Sequence, residues 1–250
     1  MRMRRELEDI AVAFQFLTRL PLRRLGQEPD ALSRAAKYFP LVGLVAGLSA
    51  ALIFHCLSAH LPVALAALFT VLFSVLVTGG LHEDGLADAA DAFGGGWDRE
   101  QILEILKDSR IGSFGALALV FSIGARVILL ANLPGSLLAR YLILAHVLCR
   151  WTVLPLGFLL PPARHNNGQG ARIAHQISAF SLFVGTFLAF GLAVYLLRAA
   201  AWRPLVAASL VTALSGWYYQ RRIGGITGDC LGATTQLAEI AVYLCGVWRP

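Results

Sequence analysis

Charged side chains are scarce in this chain of 250 residues. They make up 14% of it, where soluble domains carry about 25%. Against 57% hydrophobic residues and a mean hydropathy of +0.67, that shortage excludes a soluble globular protein. The length divides instead into roughly six or seven spans of about 20 residues each. Acidic residues are missing altogether between Ser109 and Gly228. The four cysteines, Cys56, Cys149, Cys230 and Cys245, form no C-x-x-C pair, and three fall inside apolar runs, so neither a zinc site nor a disulfide framework is expected. No aromatic-basic motif accompanies the net charge of +6, so nucleic acid is not expected as a partner and the basic charge reads as topogenic. After Met1-Arg2-Met3-Arg4-Arg5, Glu6, Glu8, Asp9, Gln15 and Arg19 interrupt the apolar run and no small-residue cleavage site follows, which argues against a cleaved signal peptide. No repeat or low-complexity segment is evident.

What is present reads as one all-α membrane-embedded domain over residues 1–250: a polytopic bundle of about 6–7 transmembrane helices with short amphipathic helices at the interface. Ile10, Ala13, Phe14 and Leu17 have helical spacing, placing an interfacial helix at about residues 6–20 on the membrane surface, ended by Pro21. A basic connector with Arg23, Arg24, Arg34 and Lys37 leads to Tyr38-Phe39-Pro40. Spans are expected at 41–59, 63–78, 116–132, 137–160, 176–197, 205–219 and 231–247. An acidic helix from residue 82 to about 92, stopped by Gly94-Gly95-Gly96, and a short helix over 98–110 lie between the second and third spans. In this topology fifteen of the 21 Lys and Arg residues fall on one side and three on the other. The positive-inside rule makes the richer side cytoplasmic. The expectation is therefore a multi-pass protein of the cytoplasmic (inner) membrane whose acidic motif, within 82–112, faces the cytoplasm.

Eight of the fifteen Asp and Glu residues lie between Glu83 and Asp108. Asp84, Asp88 and Asp91 sit at i, i+4 and i+7, so on a helix their carboxylates share a face and repel one another. A hard divalent cation, magnesium first, would offset that repulsion, although solvated acidic helix faces are common. Beyond the acid-free stretch comes Gly224-Gly225-Ile226-Thr227-Gly228-Asp229, a glycine-rich loop placing one carboxylate at the entrance to the last span on the same membrane side. Asp229 reads either as a further metal ligand or as an N-cap. The glycines let backbone N–H groups approach phosphate oxygens. Lys107, Arg110 and Arg164 suit further phosphate charge or ordinary inside-positive anchoring. Arg126 and Arg150 need partners inside their spans, and Arg150 is the better candidate to face the site. His82 suits contact with substrate or metal, or no chemical role; His146 is assigned to packing. Carboxylates, metal and phosphate-binding glycines at a membrane face suggest transfer of a phosphoryl-linked group to an alcohol, with one carboxylate as base.

Three segments carry a family resemblance: Thr78 through Gly95, Lys107 through Gly115, and Gly224 through Ala233. Together with Phe16 through Pro21 and Arg34 through Gly43, they resemble the adenosylcobinamide-GDP ribazoletransferase (cobalamin synthase) family nearly end to end. The resemblance implies that α-ribazole or its 5′-phosphate attacks the cobinamide-linked phosphate of adenosylcobinamide-GDP, that GMP leaves, and that Mg2+ is the cofactor. Carried onto this chain, it implies Glu83, Asp84, Asp88, Asp91 and Asp229 as metal ligands or base, with Asp84 and Asp88 first. It implies Lys107, Arg110, Arg164 and Thr227 as phosphate or nucleotide contacts, beside His82 and Arg150. The partners expected are these substrates and the lipid bilayer, with self-association left open. Two alternatives are weaker. This stretch does not reproduce the Asp-Gly-x-x-Ala-Arg element of CDP-alcohol phosphotransferases, and a cation transporter would hold its acids near mid-membrane.

Overall fold

The computed structural model describes residues 2–22, 28, 30–108, 110–164, 173 and 176–248. Arg23, Arg24, Ser109, His165, Asn166, Asn167, Arg172 and Arg249 lie outside the described residues. The chain is built from twelve α-helices among those described: α1 (Arg2–Leu17), α2 (Ala31–Ala35), α3 (Phe39–Ser58), α4 (Val63–Thr78), α5 (Leu81–Gly95), α6 (Arg99–Ile105), α7 (Ser113–Asn132), α8 (Gly135–Trp151), α9 (Val153–Leu159), α10 (Ala179–Leu197), α11 (Trp202–Ile223) and α12 (Gly228–Val247). The only β pairing among the described residues is an isolated bridge between Pro162 and Ile226.

Each expected span meets a helix. Five segments are long and apolar enough to cross a membrane: Ala31–Ser58, Ser113–Asn132, Gly135–Leu159, Ala179–Ile223 and Gly228–Val247. The fourth has 45 residues, about 68 Å at 1.5 Å per residue and more than twice a hydrocarbon core of about 30 Å. It turns at Arg198, whose φ is +53°, so it supplies two spans, α10 and α11. The span at Gly135–Leu159 breaks between α8 and α9, where Pro155 lacks an N–H and crowds the carbonyl of Trp151.

The bundle is organised around α8, which is buried on every side from Tyr141 to Trp151. Against it packs α3, through Gly43 and Gly47. A Cβ at Gly43 would collide with the carbonyl of His146, and one at Gly47 would come within 2.7 Å of the Ile143 Cα. This is the small-xxx-small approach that lets membrane helices touch backbone to backbone.

Two features depart from the expected layout, and both shape the site. α4 and α5 meet at 90°, because Gly79 and Gly80 both adopt left-handed φ, +66° and +73°, a conformation costly for other residues. The acidic helix is thus turned inward against α7 and α12, where it was expected to start at the membrane edge. α1 begins at Arg2, earlier than expected, and it docks on the bundle instead of simply lying on a membrane surface. Val12, Ala13 and Leu17 join the core. The buried Asp9 pairs with Lys37 (3.2 Å) and Arg34 (3.4 Å), and Glu6 with Lys37 (2.6 Å). Two basic residues read as topogenic are therefore also the clamps of α1.

Candidate active site

The site forms where two connectors are zipped together. Ala163 donates its N–H to the Ile226 carbonyl (3.0 Å), and Ile226 donates to that of Pro161 (2.9 Å). The approach requires glycine at 225, where a Cβ would strike the Pro161 carbonyl. Arginines lace the α5–α6 region to the same connectors. Arg99 donates to the carbonyls of Ile223 (3.0 Å) and Ala163 (2.9 Å), Arg222 donates to that of Gly96 (2.9 Å), and Arg164 donates to that of Leu103. Thr227 caps α12, accepting from the Cys230 N–H (3.4 Å) and donating to the Asp229 carboxylate (3.2 Å). Asp229 itself is therefore not the N-cap. It stands in the first turn, where the helix dipole favours a negative charge.

α5 reaches α12 at two glycines. A Cβ on Gly85 would lie 3.1 Å from the Asp229 carbonyl oxygen and 3.2 Å from the Gly232 Cα. This contact brings Asp84 and Asp229, 145 positions apart in the chain, to the wall of one cavity of about 390 Å³. His82, Arg164 and Thr227 line it as well, and its apolar walls include Phe16 and Leu17 of α1, Phe39 of α3, and Ile226. Asp88 does not line the cavity, though it feels the charges of Asp84, Asp229 and Asp91. No Lys or Arg forms an ion pair with Asp84 or Asp88 among the described residues.

Those oxygens suit a hard divalent cation, but not as a closed cage. Among the described residues the one trio of ligand-type atoms lying within 4.8 Å of one another is His146, Cys149 and Glu239, elsewhere in the bundle. Asp84, Asp88 and Asp229 do not converge that tightly, contrary to the expectation that all the acids surround one ion. Magnesium does not need such convergence: it keeps several waters and takes one or two carboxylates, the remainder coming from substrate phosphates. The His146 trio is a poor metal site. Arg150, which can only donate, sits 3.2 Å from His146 Nδ1, leaving Nε2–H to point at Ser74 Oγ (3.3 Å).

The remaining candidates are placed elsewhere. Glu83 faces the bundle interior, 3.0 Å from Arg126 and accepting from Gln236 Nε2 (3.1 Å). Asp91 accepts from the N–H groups of Gly112 (2.7 Å) and Gly115 (2.9 Å), so both its oxygens hold the start of α7. At either glycine a Cβ would collide with that carboxylate. Arg150 is buried against His146 and does not line the large cavity. Arg110 is exposed and engaged by Asp108 (2.5 Å), whose carboxyl the Arg110 hydrogen bonds hold down at about 2. Lys107 is exposed on the connector between α6 and α7 and does not line the cavity. Sequence reasoning missed the walls that α1 and α3 supply. The signal was there in Leu17, a member of the amphipathic stripe placed on the membrane surface, and in Phe16 beside it, which opens a segment of the family resemblance.

Comparison with known proteins follows this geometry. The family model described as cobalamin-5-phosphate synthase matches residues 9–247. The chain is similar to proteins named adenosylcobinamide-GDP ribazoletransferase. That of Polaromonas sp. is 39% identical, covering 95% of each chain. That of Shewanella amazonensis is 38% identical over 96% of this chain and 95% of its own, and that of Leptospira interrogans 36% identical over 97% and 96%. No solved structure matches the chain.

Proposed function

The chain belongs to the cobalamin-5-phosphate synthase family, and we propose that its carboxylate cavity is where the nucleotide loop of cobalamin is closed. The protein is a transferase of cobalamin biosynthesis that acts on adenosylcobinamide-GDP. The finer reading is that the acceptor is α-ribazole or its 5′-phosphate and that the reaction depends on Mg2+. It further holds that the cavity opens to the cytoplasm from the inner membrane, as the distribution of basic residues favours.

The acceptor's hydroxyl oxygen forms a new bond to the cobinamide-linked phosphorus, the bond from that phosphorus to the bridging oxygen of GMP breaks, and GMP departs with that oxygen. The acceptor's proton passes to a carboxylate, for which Asp84 or Asp88 is suited because among the described residues neither is tied up by a basic partner. A bound magnesium ion, held by Asp84 and Asp229 with Asp88 beside them, would neutralise charge developing on the diphosphate. Arg164 and Thr227 line the same cavity and add a positive charge and a hydroxyl toward phosphate oxygens. The apolar walls limit water's access to the diphosphate and so suppress hydrolysis as a side reaction.

One observation carries this reading: Asp84 and Asp229, from distant parts of the chain, share a cavity with Arg164 and Thr227. The test is incubation of purified protein with adenosylcobinamide-GDP and α-ribazole, with Mg2+ or with EDTA. GMP release with the ion and none with chelator is expected. GMP release in EDTA would remove the metal from the reading, and hydrolysis without the coupled product would remove the acceptor.

A further inference from the structure

Below the carboxylate cavity lies a second polar cluster, sealed inside the bundle. Arg126, almost fully buried, lies 3.0 Å from Glu83 of α5 and 3.7 Å from Glu239 of α12. Gln236 of α12 donates to Glu83 (3.1 Å) and accepts from Ser122 of α7 (3.1 Å). Arg150, His146 and His82 close the other side. The space left is about 10 Å³, enough for no more than about one water.

This cluster touches the two helices that carry the site, just past the point where they cross. At that crossing, Gly85 and Gly232 bring bare backbone against bare backbone. Such a contact allows close approach but supplies no interlocking side chains to fix the rotation of one helix on the other. The apolar patch of Leu86, Ala89 and Ala233 draws the helices together without directionality. The directional contacts on the interior side are those of Arg126 and Gln236. Asp84 follows Glu83 in the chain, and Asp229 lies seven residues, about 10 Å, before Gln236 along α12.

We propose that Arg126 is a positioning residue for the carboxylate cavity: by holding Glu83 and Glu239 it fixes the separation of Asp84 and Asp229 across the Gly85–Gly232 pivot. The ligand that reads out this separation is a divalent cation, so the inference rests on the metal part of the proposed function.

Mn2+ is the probe, with binding to the detergent-purified full chain followed by loss of the free-ion EPR signal. Arg126→Met is expected to raise the Mn2+ Kd about tenfold or more, and Arg126→Lys, which retains a charge but not the fork, to raise it less. Arg126→Met leaves two buried acids unpaired, so Glu83→Gln/Arg126→Met/Glu239→Gln serves as a version without buried charge; it is expected to fold and still bind weakly. A folded variant lacking Arg126 with the Kd of the unaltered protein would overturn the proposal. The α5–α12 geometry is read without metal by the distance between nitroxides at Gly95→Cys and Leu237→Cys, with Cys56 replaced by serine. A shifted or broadened distribution in Arg126→Met is expected, and an unchanged one overturns the inference. Failure of the unaltered protein to bind Mn2+ would sink the metal reading alone, leaving the nitroxide distances to decide the positioning role.

Discussion

Glu83 and Asp84 are neighbours in the chain and end in opposite surroundings. Glu83 points into the bundle, where Arg126 and Gln236 engage it. Asp84 lines the cavity, where no basic residue pairs with it among the described residues. The two polar regions differ in the same way throughout. In the interior cluster Glu83 and Glu239 face Arg126 and Arg150, so the charges balance within the protein. At the cavity, among the described residues, Asp84 and Asp229 outnumber Arg164. A buried ion pair holds elements in register at a cost in desolvation, while unpaired carboxylates beside a cavity await a charge from outside. On the proposed function, adjacent acids of like chemistry serve structure in one region and ligand binding in the other.

The sharpest test of that division is to neutralise the two neighbours separately. Asp84→Asn should lower turnover by about a thousandfold, equivalent to about 4 kcal/mol of transition-state stabilisation, with thermal unfolding in detergent close to that of the parent. Steady-state GMP release and a melting curve on the same preparation check both halves. Near-normal turnover would erase the distinction between the regions. Glu83→Ala should show first in stability, costing about 3 kcal/mol by leaving Arg126 with the more distant Glu239 alone, with a loss of turnover well short of that in Asp84→Asn. Denaturant unfolding would read that loss, and an unchanged midpoint would mean the interior pair is not structural.

These contrasts were only partly legible in the sequence. Length and hydropathy suffice for a polytopic helical bundle, because a helix must satisfy its own backbone in lipid and needs about 20 apolar residues to cross it. Asp84 and Asp229 could be named because acids are so scarce that each demands a reason. Glu83 was grouped with them through the family resemblance alone, which does not say what lies opposite it. Its partner Arg126 is 43 positions away, and the contact depends on the 90° bend at Gly79–Gly80. A glycine pair in sequence does not tell a helix stop from a corner; the paired left-handed φ values of Gly79 and Gly80 make them a corner. Asp91 was grouped with Asp84 and Asp88 by spacing, which says which face a residue shares but not what lies opposite; the glycines that close on it, Gly112 and Gly115, are 21 and 24 positions away.

Asp229 sharpens the comparison further, since a carboxylate in the first turn of a helix is compatible with either class. Thr227 already supplies the α12 cap, so Asp229→Ala should cost little stability, about 0.5 kcal/mol from the lost dipole interaction. Turnover should fall about a hundredfold, or about 2.7 kcal/mol, if Asp229 shares the ligand with Asp84. A large drop in melting temperature with turnover intact would return Asp229 to the structural class.

The smallest expected effect tests the seam between the regions. At Gly85 an added methyl would meet only backbone, at 3.1–3.2 Å from Asp229 and Gly232, and backbone cannot swing aside as a side chain can. Gly85→Ala should therefore part α5 from α12 by a few tenths of an ångström at a cost of about 1 kcal/mol in stability. Alanine's better helix propensity, worth about 1 kcal/mol, offsets much of this. Stability should hence change little, while the carboxylates on the cavity side move apart and turnover drops severalfold. Because the ion pairs of Glu83 lie on the other side of the crossing, the loss should shrink as Mg2+ is raised. A loss that no Mg2+ concentration relieves would mean that the crossing shapes the cavity walls and leaves the spacing of its acids alone.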